Sequence, residues 1–133
     1  MLEQWPLLVL YAVLGIANIA RGILAWVAAS ALTTRQLSLP LPLVGAIYVV
    51  WGLALPAAGL AYSRRPGRRT RILARAAAIM YQATVWTVRF LGDRASYSQQ
   101  LWARDAVLSL LFIVLVLVLT GFPDHRQPSY RQR

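Results

Sequence analysis

Asn18 and Arg21 stand near the middle of "YAVLGIANIARGILAW" (Tyr11–Trp26), a stretch otherwise apolar almost throughout. A guanidinium at that depth in a hydrocarbon layer costs about 2.5–3.5 kcal/mol on insertion scales. It therefore needs a counter-charge, a route to water or a ligand. A second polar row follows at seven-residue spacing: Arg75, Gln82 and Arg89. Asp105 lies about one turn inside the last apolar stretch. Asn18, Arg21, Gln82, Arg89 and Asp105 together form a candidate buried polar network or anion path. The chemistry open to them is electrostatic: ion pairing, amide hydrogen bonding, and attraction of an anion or lipid phosphate by surplus guanidinium.

The rest of the composition narrows that chemistry. The sequence has no cysteine and no lysine, which excludes disulfides, thiolate metal sites, Schiff bases and lysine nucleophiles. His125 is the single histidine, and the carboxylates are Glu3, Asp93, Asp105 and Asp124, none at the middle of an apolar run. With no nucleophile–base pair, no metal-ligand spacing and no cofactor motif, a non-enzymatic protein without a cofactor is expected. The 14 basic residues, all arginine, give a net charge of +10. In a soluble chain this would suggest nucleic acid. In a membrane chain it is a topology signal, and no nucleic-acid partner is expected.

Hydrophobic residues make up 59% of the chain and charged ones 14%, against about 45–50% and about 25% in soluble domains. This is the balance of a membrane protein. A spanning helix needs about 20 mostly apolar residues to cross about 30 Å of hydrocarbon. Four stretches qualify: 5–32, 41–62, 72–92 and 101–122. The sequence thus predicts an all-α, four-transmembrane-helix bundle forming one domain over 1–122, with a polar, disordered cytoplasmic tail over 123–133. The apolar stretch after "MLEQWP" is far longer than the core of a cleaved signal peptide, about 7–15 residues.

Arginines orient the spans. Arg64, Arg65, Arg68, Arg69 and Arg71 crowd one loop, with Arg75 just inside the third span. The positive-inside rule puts this loop, and with it both termini, in the cytoplasm, here of a bacterial inner membrane. Arg35, Arg94 and Arg104 then fall outside. The same six loop-side arginines are candidates for gripping anionic headgroups at the cytoplasmic face, each worth about 1 kcal/mol near the surface. Trp5, Tyr62, Tyr97 and Trp102 sit at span ends, where interfacial aromatic residues belong.

Small residues mark the contacts between helices. Gly15, Gly22 and Ala29 form one seven-residue row, and Gly45, Gly52 and Gly59 form another. Such rows predict a tight antiparallel hairpin of the first two spans, because helices in lipid associate through close packing. Pro56 is expected to bend the second span. Asn18 is the natural partner for Gln82, and Asp105 for Arg21, with Asp93 the second choice. Leu108–Leu119 carries only Ser109 as a polar residue and reads as a face toward lipid or another subunit.

"GIANIARG" (Gly15–Gly22) resembles the glycine- and arginine-containing first helix of small fluoride channels. That family's later asparagine and its phenylalanine- and threonine-rich broken helix have no counterpart, so no family is assigned. The expected role is a scaffold or accessory subunit of a larger membrane assembly, or a self-associating homo-oligomer. The alternative is a small oligomeric channel or transporter for an anion, using Arg21 and Arg89.

Overall fold

The computed structural model describes residues 5–31, 40–92 and 96–121. It is all-helical, with α1 (Trp5–Ala31), α2 (Leu41–Arg64), α3 (Arg68–Gly92) and α4 (Ser96–Leu119). Three helices contain stretches long and apolar enough to cross a membrane: Trp5–Ala29, Leu41–Arg64 and Trp102–Leu119. That is consistent with an integral membrane protein. α3 covers 25 residues and is not in that group, because its polar row of Arg75, Gln82 and Arg89 lowers the apolarity of its long stretches. The loop 32–39, Asp93, Arg94, the Tyr97 side chain and the 123–133 tail lie outside the described residues.

Local chemistry sets the breaks between helices. Pro40 is extended at φ −65°, and its carbonyl accepts the N–H groups of Leu43 (3.0 Å) and Val44 (3.2 Å) to start α2. Pro42 falls in the first turn, where a missing N–H costs nothing. At the other end of α2, Pro66 and Gly67 stop the helix. The Thr70 hydroxyl ties this turn by accepting the Gly67 N–H (3.0 Å) and donating to the Arg65 carbonyl (2.7 Å). A connection this short makes α2 and α3 antiparallel neighbours. We call the end of the bundle that carries this turn the loop end, and the opposite end the far end.

α1 and α2 approach most closely. Gly15 lies opposite Gly52, Gly22 opposite Gly45, and Leu8 opposite Gly59, so one antiparallel register holds along the whole contact. A Cβ on Gly15 would lie 2.6 Å from the Gly52 carbonyl oxygen, and one on Gly22 would lie 2.7 Å from that of Gly45. Only bare Cα atoms fit. The counterpart of Ala29 in this register falls at position 38, outside the described residues. α2 is continuous across Pro56. Because Pro56 has no N–H, the Gly52 carbonyl lacks its helical donor. That carbonyl is the one that faces Gly15, the kind of helix contact at which Cα–H···O approaches recur.

The core joins all four helices: Leu7 and Tyr11, then Leu55, Ala58 and Tyr62, then Ala74, Ala78 and Tyr81, and Val116. Tyr62 therefore sits inside the bundle, not at a lipid interface, because its position on α2 continues the stripe of Leu55 and Ala58. The outward faces carry large apolar side chains such as Ile16, Leu24, Val50 and Leu110, all well exposed. This is the surface a bundle presents when hydrocarbon surrounds it.

Candidate functional site

α3 positions the polar groups, and two of its faces do different work. Ala74, Ala78 and Tyr81 turn toward α1 and α2 and are buried. The Tyr11 hydroxyl donates to the Ala74 carbonyl at 2.6 Å, and the Tyr81 hydroxyl donates to Asn18 Oδ1 at 3.1 Å. Asn18 thus has Tyr81 as its partner, one residue before the expected Gln82. A single residue turns about 100° around a helix, so Tyr81 points to α1 while Gln82 points elsewhere. Asn18 is 1% exposed, and its Nδ2 has no hydrogen-bond partner.

The row Arg75, Gln82, Arg89 turns toward α4, and its two ends hold that helix. Near the far end, Arg89 Nη1 pairs with Asp105 Oδ2, while Arg104 Nε bonds Asp105 Oδ1 at 3.1 Å. Near the loop end, Arg75 Nε donates to Thr120 Oγ1 at 2.8 Å, and its Nη2 donates to the Gly121 carbonyl. Between them, Trp86 Nε1 donates to Ser109 Oγ at 3.1 Å. A cation on the last carbonyls of a helix complements its partial negative charge. Gly121 adopts φ +68°, the left-handed conformation that commonly ends a helix and that glycine adopts without strain.

These contacts reassign two of the expected roles. Asp105 belongs to Arg89 and Arg104, not to Arg21. Arg89 lies three residues from the end of α3, level with Asp105, whereas Arg21 lies ten residues from the end of α1, roughly 15 Å deep. Arg75 is committed to the end of α4, which removes it from the headgroup-facing set. Arg64, Arg65, Arg68 and Arg69 are exposed at the loop end, and Arg71 is half-buried there.

Toward the far end the helices splay around a cleft of about 700 Å³. Arg21, Gln82, Arg89 and Asp105 all line it, while Asn18 lies behind the wall, reached through Tyr81. Arg104 and Tyr48 add to its polar lining, and Leu14, Val85 and Phe112 are among its apolar residues. Phe112 meets Tyr81 edge-on, with ring centroids 6.1 Å apart, and Tyr81 meets Trp51 in the same way at 5.8 Å. The Arg89 guanidinium lies 5.7 Å from the Trp86 ring centroid, within cation–π range.

Charge sets what the cleft can do. Among the described lining residues, three guanidinium groups, on Arg21, Arg89 and Arg104, face one carboxylate, on Asp105, a formal surplus of two positive charges. Both Asp105 oxygens are taken by the other two arginines. Arg21 has no ion pair or hydrogen bond among the described residues.

Tyr81, Trp86, Phe112 and Thr120 were not singled out from the sequence, and Ser109 stood out only as the one polar residue of its apolar stretch. A signal existed for those on α4. Asp105, Ser109, Phe112, Val116 and Thr120 fall at helical spacing on one stripe, hidden because the helix from Ala106 to Leu119 is apolar on every other face.

The chain matches no protein-family model, no curated protein and no solved structure. What defines it is therefore its own geometry: a helical bundle with three helices long and apolar enough to cross a membrane, and a cationic cleft toward one end.

Proposed function

We propose that this is a non-enzymatic, four-span protein of a bacterial inner membrane, with its termini and arginine loop in the cytoplasm. It serves as a scaffold or accessory subunit, holding a neighbouring molecule or a second copy of itself through an anionic group received in the cleft. The observation that carries this reading is Arg21, a cation in an apolar stretch whose expected counter-ion is already engaged by Arg89 and Arg104. A negative partner would stabilise an arginine kept at that depth, and the chain's described residues leave Arg21 without an ion pair.

α3 serves as the fourth span in this reading. No charged residue lies between Arg75 and Arg89, roughly 21 Å along the axis, and both long stems reach toward the ends of the bundle. The cleft then opens in the outer half of the bilayer, and the exposed loop arginines meet anionic headgroups on the cytoplasmic side.

Native mass spectrometry of the protein, extracted from its host in a mild detergent, tests the reading. Companion subunits or a homo-oligomer are expected, released by Arg21→Gln while the variant keeps its helicity. A bare monomer from both forms would overturn the reading.

A second reading is passage of a small anion, favoured by the convergence of Arg21, Gln82 and Arg89 on one polar cleft. Anion flux in proteoliposomes that disappears in Arg21→Gln supports it. Unchanged flux removes Arg21 from any path.

A further inference from the structure

The cleft is graded along its length. Arg104 and Asp105 lie at its far end, while Leu14, Tyr81 and Phe112 lie toward the middle of the bundle. From Asp105 to Phe112 along α4 is roughly 10 Å, and from Leu14 to Arg21 along α1 is about the same. Arg89 and Asp105 share the outer level of the cleft with Leu41, Arg21 lies roughly one to two turns deeper, level with Val85 and Phe112, and Leu14 lies deepest. An amphiphile held by its charged group at Arg21 would have Leu14 below it for its hydrocarbon.

Three further observations narrow the occupant. Arg21 is exposed at the side of the bundle, so a molecule already in the bilayer reaches it laterally, without crossing water. The surplus of two positive charges selects an anion over a zwitterion of the same shape. The volume, about 700 Å³, lies within the range of about 300–1,000 Å³ typical of small-molecule sites. That is room for a headgroup phosphate and part of an acyl chain.

We propose that the cleft binds one anionic phospholipid, with the phosphate at Arg21 and the Arg104 rim and an acyl chain against Leu14, Val85 and Phe112. This rests on the reading that the cleft receives an anionic group, and it names the group. Arg89 does not grip the phosphate. It holds Asp105, which keeps the one carboxylate among the described lining residues from repelling the ligand. A lipid shared with a neighbouring protein would be the means by which the scaffold makes contact.

The test uses the purified full chain in a neutral maltoside detergent, with lipid retention read by native mass spectrometry. Dioleoyl phosphatidylglycerol is compared with dioleoyl phosphatidylcholine, which has the same chains and no net charge. One phosphatidylglycerol per chain is expected, retained in preference to phosphatidylcholine. Arg21→Gln weakens that retention by about tenfold, the equivalent of losing one charge-assisted hydrogen bond, and Arg21→Lys weakens it less. A variant with Arg64, Arg65, Arg68 and Arg69 all changed to glutamine separates cleft binding from loop binding, and it keeps the lipid.

Equal retention of the two lipids overturns the proposal, as does retention that Arg21→Gln leaves unchanged. A parallel arm adds inorganic phosphate alone and follows thermal unfolding. If phosphate raises the midpoint of wild type but not of Arg21→Gln while phosphatidylglycerol is not retained, the lipid proposal fails and the anion-receiving cleft stands. If neither ligand acts through Arg21, both fail.

Discussion

Replacing Gly15 by alanine puts a methyl group between two backbones that cannot move apart independently. The new Cβ would lie 2.6 Å from the Gly52 carbonyl oxygen and 2.9 Å from Pro56 Cδ, where ordinary contact begins at 3.4 Å. To accommodate it, α1 and α2 must separate locally by at least about 0.8 Å, the difference between 3.4 and 2.6 Å, since Pro56 Cγ lies closer still. A radial gap of about 0.5–1 Å forfeits roughly a quarter to a half of each dispersion well along the seam. Overpacking of this kind costs typically about 1–3 kcal/mol. The upper half of that range applies here, because a carbonyl and a proline ring have no rotamer to escape into. The gain in helix propensity from glycine to alanine offsets about 1 kcal/mol. The expected net loss for Gly15→Ala is therefore roughly 1–2 kcal/mol.

Gly59 is the internal control, since its nearest neighbour would be 3.3 Å from an added Cβ. Gly59→Ala is expected to be neutral or slightly stabilising. The double variant Gly15→Ala/Gly52→Ala should cost less than the sum of the two singles, because one separation relieves both clashes. Unfolding in maltoside micelles titrated with dodecyl sulfate, followed by tryptophan fluorescence, gives the free energies. Gly15→Ala as stable as Gly59→Ala would refute the close-packed register.

Other perturbations address the polar contacts. Asp105→Leu leaves Arg89 and Arg104 facing each other, whereas Arg89→Leu leaves Asp105 with Arg104. The first should lower the unfolding midpoint more than the second, and the double variant should recover part of the loss, while strict additivity contradicts the pairing. Tyr81→Phe leaves the buried Asn18 amide without its hydrogen bond and should cost about 1–3 kcal/mol. Adding Asn18→Leu to it should restore stability, and a further loss in the double variant argues against the bond. Arg75→Ala should raise amide hydrogen exchange at Thr120 and Gly121 with little change near Ser109. Arg75→Lys should rescue only in part, because an ammonium does not present the guanidinium fork. Uniform exchange along α4 in Arg75→Ala counts against a clamp at its end.

How far the sequence reaches follows from what periodicity encodes. Glycines seven apart on α1 and α2 stay on one helix face, so the contact between these two helices was legible. Its register was not, because spacing says nothing about which glycine meets which. The arginine-bearing row on α3 was legible as a face that avoids lipid. The helix it meets was not, because Arg75 and Arg89 find their partners on α4, one at a carboxylate and the other at a helix terminus. An apolar pattern carries no trace of a terminus waiting for a cation. Gln82 and Tyr81 differ by one step on the helix, and the polarity of glutamine drew the pairing to the wrong side of that step, where tyrosine had both the reach and the hydroxyl. Arg21 was recognisable as a residue in need of a partner. That Asp105 would be engaged elsewhere depends on its depth relative to Arg89, which only the packed helices define.

The measurement that bears most directly on an anion-receiving cleft is thermal unfolding in neutral detergent during titration with oleate, compared with oleyl alcohol. Both amphiphiles present the same hydrocarbon to the cleft, and only one carries a charge. The expected result is a saturable rise in midpoint for wild type with oleate but not with the alcohol, abolished in Arg21→Gln. A rise of equal size with both amphiphiles, or one that persists in Arg21→Gln, would contradict the assignment of Arg21 as the group that holds the anion.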